Sequence, residues 1–233
     1  MKSVRRGYVD KDEELFGDSQ KIKIHSAAND ARWLMNRGYS AESAITFTSN
    51  HYLLTSRQRM AIFRSILSDD NKIARKEKEI QAPGSEVLID GLNIIITLET
   101  ALSNSLVLRG DDGVLRDVAG LHGTYRIIDK TEKAIELILQ TLSNLDVKRA
   151  YFILDKPVSN SGSLKQLILA ISKNFNIDVE VELNMNPDQI FVGKDNVISS
   201  DGPVLQRSSN WFNLNSMIVR DMIPDTWIFN FEL

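Results

Sequence analysis

The chain has no cysteine and only three histidines in 233 residues. The first absence rules out a disulfide framework and thiolate metal sites. The second leaves too few nitrogen ligands for a clustered zinc site. A bound metal would have to take oxygen ligands, which favours Mg²⁺ or Mn²⁺. Long apolar runs are also missing. Nothing approaches the roughly 18–20 apolar residues of a membrane span, so no membrane partner is expected. The first twelve residues are charged and carry no apolar signal core, which predicts a cytoplasmic protein.

Charge of one sign is lacking too. The net charge is −3, but it is unevenly spread. Residues 1–80 hold 15 Lys and Arg against 11 Asp and Glu, and residues 81–233 hold 13 against 20. A mildly basic front and an acidic back suggest two units with different jobs. Apolar residues make up 42% of the chain, enough for a proper core.

The front unit reads as helical. Ala28, Ala31, Leu34 and Met35 recur at helical spacing over residues 27–36, and Gly38 stops that helix. Ser40 is placed to cap a second helix reaching residue 49. Thr55-Ser56-Arg57-Gln58 has the form of a capping box. The helix it opens is expected to bury Met60, Phe63 and Leu67 and to project Arg57, Arg59 and Arg64. Pro83-Gly84 ends the unit, which places a helical domain over 1–80 and an α/β domain over 84–233.

In the second unit, apolar strand patterns alternate with helical ones, which predicts α/β architecture with a mostly parallel sheet. Strands are expected at 87–90, 151–154, 178–183 and 196–199, with further ones at 217–219 and 227–231. Residues 106–117, around Arg109-Gly110-Asp111-Asp112-Gly113, read as a hairpin or loop. Helices are expected at 94–102, 131–145 and 163–175.

Three of these strands end on an acid: Asp90, Asp155 and Asp201. Parallel strands would bring all three to one sheet edge. Crowded carboxylates repel by roughly 4 kcal/mol at 4 Å separation and an effective dielectric of about 20. A divalent cation removes that repulsion, and it can also activate water and brace a phosphate. Asp117 is a fourth candidate, with Asp112 competing for its role. Asn93 follows Asp90 by one helical turn. Ser159, Asn160 and Ser161 lie in a loop at a helix start, where anions bind readily. Arg109, Arg116 and Arg126 could clamp phosphates or pair with neighbouring acids. His122 reads as an ordinary histidine, and Trp211 and Trp227 as packing residues.

Asp90-Gly91-Leu92-Asn93, together with the later Asp155 and Ser200-Asp201, resembles the motifs of NYN-type domains in the PIN-like ribonuclease superfamily. The likeness covers residues 84–233. It implies a Rossmann-like, three-layer α/β/α domain whose acids hold Mg²⁺ or Mn²⁺ for hydrolysis of RNA phosphodiester bonds. By position, Asp90, Asp155 and Asp201 match the metal-binding acids, and Asn93 matches the first-motif amide. Asp117 stands nearest the middle acid, in a segment, 106–126, that departs from the family pattern. The whole chain also resembles an uncharacterised two-part prokaryotic family common in archaea.

The expected function is therefore a metal-dependent nuclease acting on RNA, with DNA as an alternative substrate. Asp90, Asp155 and Asp201 would hold the metal, and Asp117 would assist. Asn93, Ser159, Asn160, Ser161 and Arg116 would contact phosphate, and Arg57, Arg59 and Arg64 would guide nucleic acid. A homodimer is compatible with this reading. The alternatives are a non-catalytic nucleic-acid- or protein-binding module and a small-molecule phosphoesterase.

Overall fold

The computed structural model describes residues 4–118 and 123–232. Helices fill its N-terminal region: α1 (Asp12–Leu15), α2 (Asp18–Met35), α3 (Ala41–His51), α4 (Ser56–Ser65) and α5 (Asp69–Lys76). Their starts follow local chemistry. The hydroxyls of Ser40, Thr55 and Ser68 each accept a backbone N–H of the first turn, and the capping box of Thr55 and Gln58 is complete. Gly38, at φ +89°, closes α2 as expected.

The phase of α4 differs from the expected one. Gln58, Ala61, Ile62 and Ser65 form its buried stripe, whereas Met60 and Phe63 are exposed. Arg57 turns inward instead, its guanidinium on the Asp12 carboxylate and on the carbonyls of Gly7 and Val118. A short helix with apolar residues on two sides has no unique phase until its neighbours choose one.

The strands are β1 (Glu79–Ile80), β2 (Glu86–Asp90), β3 (Val107–Arg109), β4 (Leu115–Asp117), β5 (Arg149–Asp155), β6 (Asp178–Asn184), β7 (Val197–Ile198), β8 (Trp211–Phe212) and β9 (Ile228–Asn230). Six form a sheet in the order β1-β8-β7-β2-β5-β6, and every pairing in it is parallel. The other three form a small sheet, β4-β3-β9, in which β3 and β4 make the expected hairpin. Residues 227–231 are therefore a strand, but of the second sheet. Residues 217–219 are not a strand: they lie within α11 (Leu214–Met222), which buries Leu214, Ile218 and Val219. Three consecutive apolar residues cannot distinguish a strand from one turn of a buried helix.

Strand residues of the large sheet divide between two cores by their period of two. Val87, Ile89, Ala150, Phe152 and Leu154 face α6 (Gly91–Leu102), α7 (Thr131–Asn144), α8 (Ser161–Ser172) and α11. Leu88, Ile153 and Val197 face the other way, toward residues of or beside α9 (Pro187–Ile190) and α10 (Gly202–Arg207). The protein is thus a mixed α/β molecule, with helices on both faces of a parallel sheet and a helical N-terminal region. A third core joins α2, α3 and α4 to Leu106, Leu108, Phe229 and Phe231, in or beside strands of the small sheet.

Gly91 marks the turn from β2 into α6. A Cβ there would stand 2.6 Å from Leu154 Cδ2 and 3.3 Å from the Ile153 carbonyl oxygen. Gly91→Ala is expected to cost about 1–3 kcal/mol through overpacking, measurable by urea denaturation. An unchanged midpoint would show that Leu154 can step aside.

Candidate functional site

In the sheet, β2 lies between β7 and β5. From β2 the chain winds outward through β5 and β6, then returns to β7 and β8 on the other side. The boundary between β2 and β7 is therefore a switch point, where open parallel sheets form a crevice at the carboxyl ends of their strands. Asp90 ends β2 at this boundary.

The register sets the acids in relation. Asp90 pairs with Ile153, so Asp155 lies two residues farther along the neighbouring strand. Ile89 pairs with Ile198, which brings Ser199 beside Asp90 and Asp201 two residues beyond. By strand alternation Asp90 and Asp155 continue the sheet face that carries Leu88 and Ile153, and Asp201 acts on Asp90 from beyond the end of β7. With strands about 4.8 Å apart and a rise of about 3.3 Å per residue, Asp90 and Asp155 stand about 8 Å apart at Cα. Asp188, on α9 beyond the end of β6, joins the same field.

Asp90 and Asp201 both occupy helix N-cap positions, yet neither side chain caps its helix. Asp90 is buried, and its Oδ2 accepts hydrogen bonds from Ser199 Oγ at 2.6 Å and Asn93 Nδ2 at 2.8 Å. Burial raises its pKa to about 7, the two hydrogen bonds oppose the rise, and the charges of Asp201 and Asp155 add to it. The Asp155 carboxyl is also raised, by burial and then by Asp188. The Asp201 carboxyl is raised by burial and Asp188, against the pull of Arg116, Arg64 and Arg207. Carboxylates so placed repel one another, and the nearby arginines relieve Asp201 only in part.

Asp188 and Ser199 were not picked out from the sequence. Asp188 is exposed and paired with Arg207 at 3.2 Å. The signal for it was Asn186-Pro187-Asp188, an acid just past a strand end on a proline-started helix. For Ser199 it was the position two residues before Asp201.

The other expected residues have different places. Asp117 sits at the end of β4, 3.4 Å from Arg64, and Arg64 also acts on Asp201. Asp112 is a structural acid. Its carboxylate is held by Arg75 at 2.7 Å and Arg116 at 2.6 Å, all three side chains being buried. Arg116 is thereby turned away from a role in binding phosphate, since its Nε donates to the Ser200 carbonyl. The neighbouring Asp111 pairs with Arg32 of α2, so this turn ties the helical region to the sheet.

Ser159, Asn160 and Ser161 serve their own loop. Ser159 exchanges hydrogen bonds with the backbone of Tyr125, and Asn160 donates to its carbonyl. Ser161 donates to the carbonyls of Asp155 and Val158, fixing the turn that presents Asp155. Arg59 bonds to Asn50 on the surface. Trp211 is buried, with its Nε1 on the Arg75 carbonyl, and Trp227 packs on the helical core. His122 lies outside the described residues.

Mg²⁺ or Mn²⁺ suits this all-oxygen donor set. Among the described residues no three His, Cys, Asp or Glu side chains stand close enough to enclose a metal. Mg²⁺ commonly needs only one or two carboxylates and keeps several waters, so the wider spacing of Asp90, Asp155 and Asp201 is compatible with it. No helix among the described residues is long and apolar enough to cross a membrane.

The fold and its acidic edge define a two-part α/β protein with a helical N-terminal region. Residues 79–217 match the model of the Domain of unknown function (DUF5616), and the chain belongs to that family. Residues 23–78 match the Protein of unknown function (DUF434). The chain is also 35% identical over 188 residues to an uncharacterized protein, MJ0935, of the archaeon Methanocaldococcus jannaschii, covering 79% of this chain and 90% of that one. No solved structure matches it.

Proposed function

We propose that this protein is a metal-dependent nuclease that hydrolyses RNA phosphodiester bonds at the carboxyl edge of its parallel sheet, on a PIN-type variant of the Rossmann-like fold. The observation that carries the reading is that Asp90, Asp155 and Asp201 follow the carboxyl ends of three adjacent parallel strands beside the switch point, none used as a helix cap or a structural ion pair. Asp112, in the turn of the β3–β4 hairpin, shows what a structural acid in this chain looks like: two arginines neutralise it.

A bound Mg²⁺ or Mn²⁺ would supply an activated water and neutralise charge on the phosphate. Asp90, Asp155 and Asp201 would hold it, directly or through water. Asn93 and Ser199 orient Asp90 by fixing one of its oxygens and leaving the other free to face the cation. Asp188 adds negative charge at the rim, and Arg64 offers a cation beside Asp201 and Asp117 for a neighbouring phosphate.

The test is Mn²⁺-dependent cleavage of single-stranded and structured RNAs by the wild type and by Asp155→Asn, with folding checked by circular dichroism. Asp155→Asn is expected to lose at least the roughly 10- to 100-fold that removal of a mere outer-shell partner costs. Undiminished cleavage by that variant would overturn the assignment.

A further inference from the structure

Beside the acidic edge, a cavity of about 420 Å³ lies between the helical region and the sheet. Its volume falls within the roughly 300–1,000 Å³ range of small-ligand sites. One wall comes from α4 and the residues after it, with Phe63, Arg64 and Ser65. Arg75 of α5 is also in the lining, and Asn93 and Asp201 form the side toward the acids. Two features of this lining are unexplained by folding. Phe63 is 58% exposed, a large aromatic ring left uncovered next to a cleft. The Arg64 side chain is 30% exposed, and its ion pair with Asp117 is long, at 3.4 Å. A guanidinium so placed beside an uncovered ring points to a ligand that combines a flat face with hydrogen-bond acceptors.

We infer that this cavity receives one unpaired nucleotide of a single-stranded RNA, its base against Phe63 and its oxygen and nitrogen acceptors on Arg64, next to the phosphate that a cation at Asp201 would hold. The inference rests on the nuclease reading for the position of that phosphate. The ligand's chemistry follows from the lining itself. An aromatic face stacks any base, and guanidinium donors meet phosphate, ribose and base acceptors. A base inside a duplex is stacked and paired and cannot enter such a cavity without being extruded. The site therefore selects single strands. It also gives the helical region a role: α4 and α5 complete a subsite that the sheet edge cannot form alone.

The experiment measures binding of a short fluorescent single-stranded RNA, and of the same sequence as a duplex, to the full chain in EDTA by anisotropy. Phe63 is exposed, so Phe63→Ala should leave the fold intact, and thermal melting checks this. Phe63→Ala is expected to weaken single-strand binding by about tenfold, with Phe63→Trp retaining it and duplex binding unchanged. Single-strand binding by Phe63→Ala within about twofold of wild type would overturn the inference, because loss of a stacked base costs more than that. So would a wild type that binds duplex as tightly as single strand. Cleavage in Mn²⁺ separates the two readings. Phe63-dependent binding without any cleavage by the wild type would remove the nuclease assignment and leave the nucleotide site. Asp155-dependent cleavage that Phe63→Ala leaves untouched, with unchanged binding, would remove the nucleotide site and leave the nuclease.

Discussion

Asp90→Asn is expected to abolish Mn²⁺-dependent RNA cleavage and, in the same protein, to raise stability at pH 8 in EDTA. The two effects have one cause. Burial, with Asp201 and Asp155 nearby, holds the folded-state pKa of Asp90 at about 7. An unfolded chain would release that proton near pH 4. Between about pH 4 and 7 the folded protein therefore binds more protons than the unfolded one. The stabilisation from protonated Asp90 is full below pH 4 and is lost as pH rises through 7. At pH 8 the buried carboxylate is charged and costs on the order of 2–4 kcal/mol relative to a neutral group.

Asparagine has the same shape, and its carbonyl oxygen can accept from both Ser199 and Asn93. It removes the charge and should recover much of that cost. Thermal melts at pH 5 and pH 8 provide the check. The variant should melt higher than wild type at pH 8, and the gap should narrow at pH 5. A variant less stable than wild type at pH 8 would show that Asp90 is an ordinary structural acid, and the argument for a metal site would lose its electrostatic basis. Saturating Mn²⁺ should stabilise wild type and leave Asp90→Asn nearly unmoved, since only a competent site binds the ion.

Asp112→Ala is expected to act in the opposite direction, lowering stability by about 3–5 kcal/mol. Burial alone would raise the Asp112 pKa. Arg116 and Arg75 outweigh it and hold the carboxyl well below the usual range. Truncation leaves both guanidiniums buried without their counter-charge, and it also removes the acceptor of the Val114 N–H. Urea denaturation at pH 7 measures the loss, and a change under about 1 kcal/mol would show that water or Asp201 replaces the missing acid. The sign with pH differs from that of Asp90. Asp112 has a depressed pKa, so its contribution is present above about pH 4 and disappears only as pH falls far below that value. The two aspartates thus have opposite titration behaviour, because one faces arginines and the other faces acids.

Much of the catalytic candidate was legible along the chain. Asp90, Asp155 and Asp201 each follow a short apolar run, and alternation with helical patterns implies parallel strands. Parallel strands deliver their carboxyl ends to one edge, so the convergence of these acids follows from local pattern and chain direction. Asn93 was legible for the same reason, being one helical turn from Asp90. The capping residues Ser40 and Thr55 act within four residues of themselves, and the helices they open appear where expected.

Other features depend on partners distant in sequence. Arg57 looked like a surface cation because its partner, Asp12, is 45 residues away. Arg116 looked like a phosphate clamp, but its fork is filled by Asp112 and by the carbonyl of Ser200, 84 residues on. Phe63 looked like core. The phase of α4 is set by which side meets the small sheet, and that choice left its ring at the cavity instead. Asp188 gave little warning, since its membership of the acidic field depends on α9 folding back over the end of β5. By itself, then, the sequence determined the parallel sheet, its helical preface and the strand-end acids, because each is encoded by periodicity and capping over a few residues. The tertiary structure alone decided which charges are neutralised and which are left to repel. Ion pairing and burial are set by contacts between elements, and no local pattern carries them.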